Sequence, residues 1–130
     1  MITALDHVDI IVKDWEAAIE QYKKIFDTDK VVYPDMPARG YKLARIEFGD
    51  HQSINILTPT DEVGPWYKHL QRHGDSIYLF ALTTDNLDET AEGLRDRGVR
   101  MPVPIGGTRV IHPGSAGGAL ILLSGPRSDA

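Results

Sequence analysis

The chain has 130 residues, with 14 Lys plus Arg against 19 Asp plus Glu, a formal net charge of −5 and no cysteine. That length suits one domain, or two half-domains sharing a core. An acidic balance without a basic run argues against nucleic acid and anionic membrane as partners, and the lack of cysteine removes disulfides, thiolate metal sites and thiol nucleophiles together. No apolar run reaches the length of a membrane span and none follows a basic start at the N-terminus, so a cytoplasmic protein is expected.

In residues 5–12, Val8, Ile10 and Val12 alternate with His7, Asp9 and Ile11, the period of two that marks a strand. Asp14 is placed to cap a helix, along which Trp15, Ala18, Ile19, Tyr22 and Ile25 or Phe26 recur at helical spacing until Asp27-Thr28-Asp29 stops it. A short strand is expected near residues 30–33. Residues 41–48 and 53–57 read as two strands joined through Gly49-Asp50-His51-Gln52. Residues 58–75, with Pro59, Gly64-Pro65 and an amphipathic turn of helix at 66–73, read as a linker.

The second half repeats the plan: a strand at 77–84, a helix from about Leu87 to Arg97 closed by Gly98, then strands near 100–103, 109–112 and 118–123. When Val12 is set on Thr84 and Asp14 on Asn86, His7 falls on Leu79. The expected fold is α+β: two tandem β-α-β-β-β modules in one domain forming a curved, mostly antiparallel, eight-stranded sheet. Module one covers about residues 4–58, the linker 59–75, module two 76–124, and a polar, disordered tail 125–130.

By spacing, His7 and Asp9 share a strand face, which makes an imidazole oriented by a carboxylate conceivable as a general base; the alternative is a histidine hydrogen-bonded inside a polar pocket. Asn55 reads as a ligand-orienting amide or as a buried amide satisfied by backbone. Tyr78 alternates to the opposite face from Leu79 and is expected beneath the helices. His51, His69, His73 and His112 fall in turns or the linker and read as surface residues, His112 also leading into the last hairpin. The glycines at 105–108 and 114–118 fit hairpin geometry first and close approach of an anion second. Arg39, Lys42, Arg45 and Arg109 offer cationic contacts.

Leu5-Asp6-His7-Val8 with Val12-Lys13-Asp14, Arg72-His73-Gly74, Gly98-Val99-Arg100 and, above all, the segment His112-Pro113-Gly114-Ser115-Ala116-Gly117-Gly118-Ala119-Leu120-Ile121-Leu122 resemble the vicinal oxygen chelate superfamily. That superfamily includes glyoxalase I, bleomycin-resistance proteins and extradiol dioxygenases, and the resemblance extends to its methylmalonyl-CoA epimerase branch. It covers residues 5–124 and implies four divalent-metal ligands. Only His7 is retained, because the other three positions match Asn55, Leu79 and Leu122. Leucine offers no lone pair, so no metal cofactor is expected, although His7 and Asn55 leave room for a weakly bound divalent ion. The loop Glu that the resemblance implies for proton exchange has no match in Pro37-Ala38-Arg39-Gly40.

The resemblance implies a small carbonyl or acyl-CoA ligand and isomerase or lyase chemistry through an enolate. His7 and Asp9 are the expected catalytic pair, with Asn55, Leu79, Leu122, Arg45 and Ser115 as ligand contacts. The alternative is a metal-free protein that sequesters a small molecule, as bleomycin-resistance relatives do. A homodimer covering the sheet's open edges is expected in either case.

Overall fold

A computed structural model describes residues 1–35, 39–102 and 107–126. In chain order the elements are β1 (Ile2–Ile11), α1 (Trp15–Ile25), β2 (Tyr41–Phe48), β3 (Gln52–Pro59), α2 (Pro65–His73), β4 (Ser76–Thr84), α3 (Leu87–Asp96), β5 (Thr108–Ile111), a 3-10 turn at Pro113–Ser115, and β6 (Ile121–Ser124). The six strands form one mixed sheet in the order β2-β3-β1-β4-β6-β5. Two compact units divide the chain: Val8–Tyr78, and Met1–His7 with Leu79 onward.

The expected eight strands are therefore six among the described residues. The segment near 30–33 is reduced to a single antiparallel bridge, Val32 to Arg45. Pro34 lacks an amide donor and ends the pairing there. The segment near 100–103 keeps one bond, His112 N–H to the Arg100 carbonyl at 2.8 Å, before Pro102 stops it; Val103 lies outside the described residues. The last strand begins at Ile121 rather than near 118, since Gly117 and Gly118 hold φ of +62° and +92°, left-handed values that a strand does not accommodate. Of the tail, residues 127–130 lie outside the described residues.

In the unit Val8–Tyr78, α1 starts where Asp14 accepts the Ala17 N–H at 3.2 Å and ends before Asp27, which takes φ +49°. Its inner stripe packs Ala18 and Ile19 against Ile10, Val12, Ala44, Ile46 and Ile56, with Trp15 and Tyr22 at the border. The Trp15 indole also donates to the Ile56 carbonyl at 2.9 Å, which satisfies its one polar atom. β2 and β3 form an antiparallel hairpin in which Phe48 pairs Gln52 and Arg45 pairs Asn55. Its tight loop is reached through Gly49 (φ +57°) and His51 (φ +64°).

The stretch read as a linker is a nine-residue helix, α2. Asp61 accepts the N–H groups of Val63 (3.1 Å) and Gly64 (2.9 Å) just ahead of it, and Pro65 occupies its first turn. His69 anchors the far end: its ring meets Tyr78 edge-on at 5.0 Å and His73 at 4.7 Å, and Nε2 lies 2.8 Å from the Ser76 hydroxyl. Burial, then the neighbouring His73, hold the His69 imidazole below its ordinary value of 6.5. A depressed imidazole pKa gives stability that is present above the unfolded value and lost as pH falls through the folded one. The urea midpoint of the wild type is therefore expected to drop between pH 7.5 and pH 5.5 by more than that of His69→Phe. Equal drops would show that His69 does not couple to folding.

In the other unit, Asn86 caps α3 by accepting the Glu89 N–H at 3.1 Å. β4 and β6 run parallel with Ala81 beside Leu122, and β5 closes antiparallel on β6 with Val110 beside Leu122. Leu123, Ala81, Ala91 and Ile111 are buried, and the Thr84 hydroxyl satisfies itself on the Ser124 carbonyl at 3.1 Å. The terminal amine reaches Asp85 and the Thr90 hydroxyl, each at 2.7 Å, which fixes the start of β1 in this unit. Arg109 is committed to Asp88 of α3 at 2.8 Å, so its charge is already partnered.

Candidate active site

Pairing of Arg45 with Asn55 across the β2-β3 hairpin puts both side chains on one face, the one opposite Ala44, Ile46, Ile54 and Ile56, which turn to α1. There Arg45 Nε donates to Asn55 Oδ1 at 3.1 Å, and Asn55 Nδ2 donates to Asp9 Oδ1 at 2.9 Å. Guanidinium, amide and carboxylate form one polar chain, with Asn55 only 5% exposed at its centre. Asp9 also acts on Tyr78: burial first, and then the Asp9 charge, push the phenol above its ordinary value of 10.0. The Tyr78 ring packs against α2 through His69.

His7 stands in the other unit. Its Nδ1 lies 2.7 Å from Asp6 Oδ2, and the two side chains are 22% and 24% exposed. The carboxylate seen orienting the imidazole is thus that of Asp6, the preceding residue, while Asp9 receives Asn55. A strand reading places adjacent side chains on opposite faces, so alternation gave no signal for Asp6; its only mark in the sequence is adjacency to the histidine.

Leu79 and Leu122 are half-buried and present only carbon. Ser115 is exposed and its hydroxyl accepts the Arg100 N–H at 3.0 Å. Of the loop 37–40, Pro37 and Ala38 lie outside the described residues, as do Ile105 and Gly106 of the first glycine-rich stretch. A cleft of about 530 Å³ opens beside α2 and is lined by Lys13, Asp61, Tyr67, Leu70 and Asp75 among others; none of the expected site residues borders it.

The side chains at the four positions implied for a metal do not fit one. The Asn55 oxygen already accepts from a cationic donor, its nitrogen gives a hydrogen to Asp9, and Leu79 and Leu122 have no lone pair. Among the described residues no group of three or more histidine or carboxylate side chains converges as a ligand set.

The chain's relatives agree with this architecture. A hypothetical protein from Bacillus halodurans C-125 is 28% identical with a TM-score of 0.82, over 98% of this chain and 96% of that one. Methylmalonyl-CoA epimerase from Mycobacterium tuberculosis is 30% identical with a TM-score of 0.78, over 98% and 90%. A variant of the Streptomyces coelicolor methylmalonyl-CoA epimerase, in complex with 2-nitronate-propionyl-CoA, is 25% identical with a TM-score of 0.79, over 98% and 97%. No curated protein matches the sequence. The profile of the Glyoxalase/Bleomycin resistance protein/Dioxygenase superfamily matches residues 6–112, and the chain belongs to that superfamily.

Proposed function

We propose that this protein is a metal-independent isomerase of the epimerase type, acting on a CoA-linked or other small carbonyl compound through an enolate. The observation that carries the reading is the His7–Asp6 pair at 2.7 Å. A carboxylate on Nδ1 fixes the tautomer and stabilises the imidazolium that forms when Nε2 takes a proton from carbon. Delivery of a solvent proton to the opposite face of the enolate completes the inversion, and the imidazolium gives its proton up to water, which restores the base. The similar epimerase structures support the substrate class, since one of them holds 2-nitronate-propionyl-CoA.

Without a cation, the developing enolate charge falls to hydrogen-bond donors, which stabilise it less than a metal does. Turnover is accordingly expected to be slow and insensitive to EDTA. The measurement is deuterium incorporation at the α-carbon, followed by NMR in deuterated buffer over a panel of acyl-CoA, 2-oxo and 2-hydroxy compounds. Exchange above the enzyme-free control supports the reading. Saturable binding with no exchange above that control would overturn it in favour of ligand sequestration, the reading that the fully engaged Arg45–Asn55–Asp9 chain and the apolar Leu79 and Leu122 favour.

A further inference from the structure

We propose that Arg100 and His112 form a binding site for a phosphoryl group; resting on the function proposed above, it receives a phosphate of the CoA-linked substrate. The backbone ties the two residues together. His112 N–H donates to the Arg100 carbonyl at 2.8 Å, and Arg100 N–H donates to the Ser115 hydroxyl at 3.0 Å. The side chains then meet in a way that leaves donors facing each other. The Gly114 N–H donates to His112 Nδ1 at 2.9 Å, so Nδ1 carries the lone pair and Nε2 carries the hydrogen. Arg100 Nη2 lies 3.5 Å from that same Nε2, and a guanidinium has only donors. Neither N–H satisfies the other. An oxyanion oxygen placed against both would accept two hydrogen bonds, one of them charge-assisted.

Three further observations point to the same ligand. Among the described residues no carboxylate pairs with Arg100, whereas Arg109 is neutralised by Asp88. Gly114 permits the approach, because a Cβ there would come within 3.0 Å of His112 Nδ1 and 3.2 Å of Arg100 Nη1. A cleft of about 420 Å³ is lined by Arg100, Met101, Pro102 and His112, so an apolar shelf adjoins the paired donors. The chemistry is a phosphoryl group on an organic body. Its doubly charged, multi-oxygen head matches a planar guanidinium fork at an exposed position, where a single carboxylate gains little.

The test is binding, which is independent of turnover. Adenosine 3′,5′-bisphosphate is expected to shift the His112 ring nitrogens saturably in ¹⁵N-resolved NMR, and adenosine is expected not to. Arg100→Gln should weaken the bisphosphate by about tenfold or more. Arg100→Lys should retain part of the affinity, because it keeps the charge and loses the fork. His112→Asn keeps an acceptor for Gly114 and loses the Nε2 hydrogen, so it too should weaken binding. No saturable shift, or the same affinity in Arg100→Gln, would overturn the site. Propionyl-CoA should lose affinity in Arg100→Gln while phosphate-free propionyl-pantetheine keeps it; an equal effect on both, or none, would overturn the assignment to the CoA phosphate. Intact phosphoryl binding with no α-proton exchange would remove the isomerase reading alone.

Discussion

His7→Ala is expected to lower α-proton exchange by about 10²- to 10⁴-fold, the range in which a positioned general base contributes. His7 Nδ1 lies 2.7 Å from the Asp6 carboxylate. If Nε2 removes the proton, three substitutions rank in order. Alanine deletes the base. Glutamine keeps the volume and a hydrogen-bonding head, yet an amide does not take up a proton near neutral pH, so His7→Gln should fall nearly as far. Asp6→Asn leaves the imidazole in place and removes the charge that steadies the imidazolium, so its loss should be smaller and show in kcat rather than KM. Deuterium exchange on the best substrate of the panel measures all three. A His7→Gln variant as fast as the wild type would eliminate His7 as the base, and an Asp6→Asn variant as slow as His7→Ala would make the pair a single unit.

The strand and helix repeat was legible because burial writes itself as period: Val8, Ile10 and Val12 turn to α1, and Ala18 and Ile19 answer from the helix. α2 was read only as a turn within a linker because it has no fully buried residue, so its packing on Tyr78 through His69 leaves a weak apolar stripe. The segment at 30–33 has β-branched Val31 and Val32, whereas Arg100-Met101-Pro102 has none; in both a proline, at 34 and 102, removes a ladder donor, which acts on hydrogen bonding rather than hydrophobicity.

At the site, the loss of the implied metal ligands at Asn55, Leu79 and Leu122 was visible one residue at a time. The partners were not. Asp9 pairs Asn55 because β1 and β3 bring residues 46 positions apart together, and Asp6 meets His7 against the simple alternation of a strand. The facing donors of Arg100 and His112 depend on a ring tautomer set by the Gly114 N–H, which no spacing rule encodes.

Asn55→Leu is expected to destabilise the protein by about 2–4 kcal/mol, as the loss of two hydrogen bonds to charged partners implies. Asn55 is 5% exposed and joins Arg45 Nε at 3.1 Å to Asp9 at 2.9 Å. Leucine has the same branching and number of side-chain heavy atoms as asparagine but is bulkier, so no cavity opens and the cost is electrostatic together with some crowding. Asp9 loses its amide donor and Arg45 its acceptor in a place where water replaces them poorly. The apolar gain of leucine offsets part of this, and the lower end of the range allows for it. A double substitution decides between loss of this chain and plain misfit. If the carboxylate is what suffers, Asp9→Leu with Asn55→Leu should cost clearly less than the two single changes added together, because the charge that needed the amide is gone. Urea unfolding of the wild type, both single variants and the double variant at pH 7 supplies the four free energies. A loss below about 1 kcal/mol in Asn55→Leu, the ordinary worth of one neutral hydrogen bond, would show that the chain is held from elsewhere. Strict additivity would show that Asp9 and Asn55 touch without depending on each other.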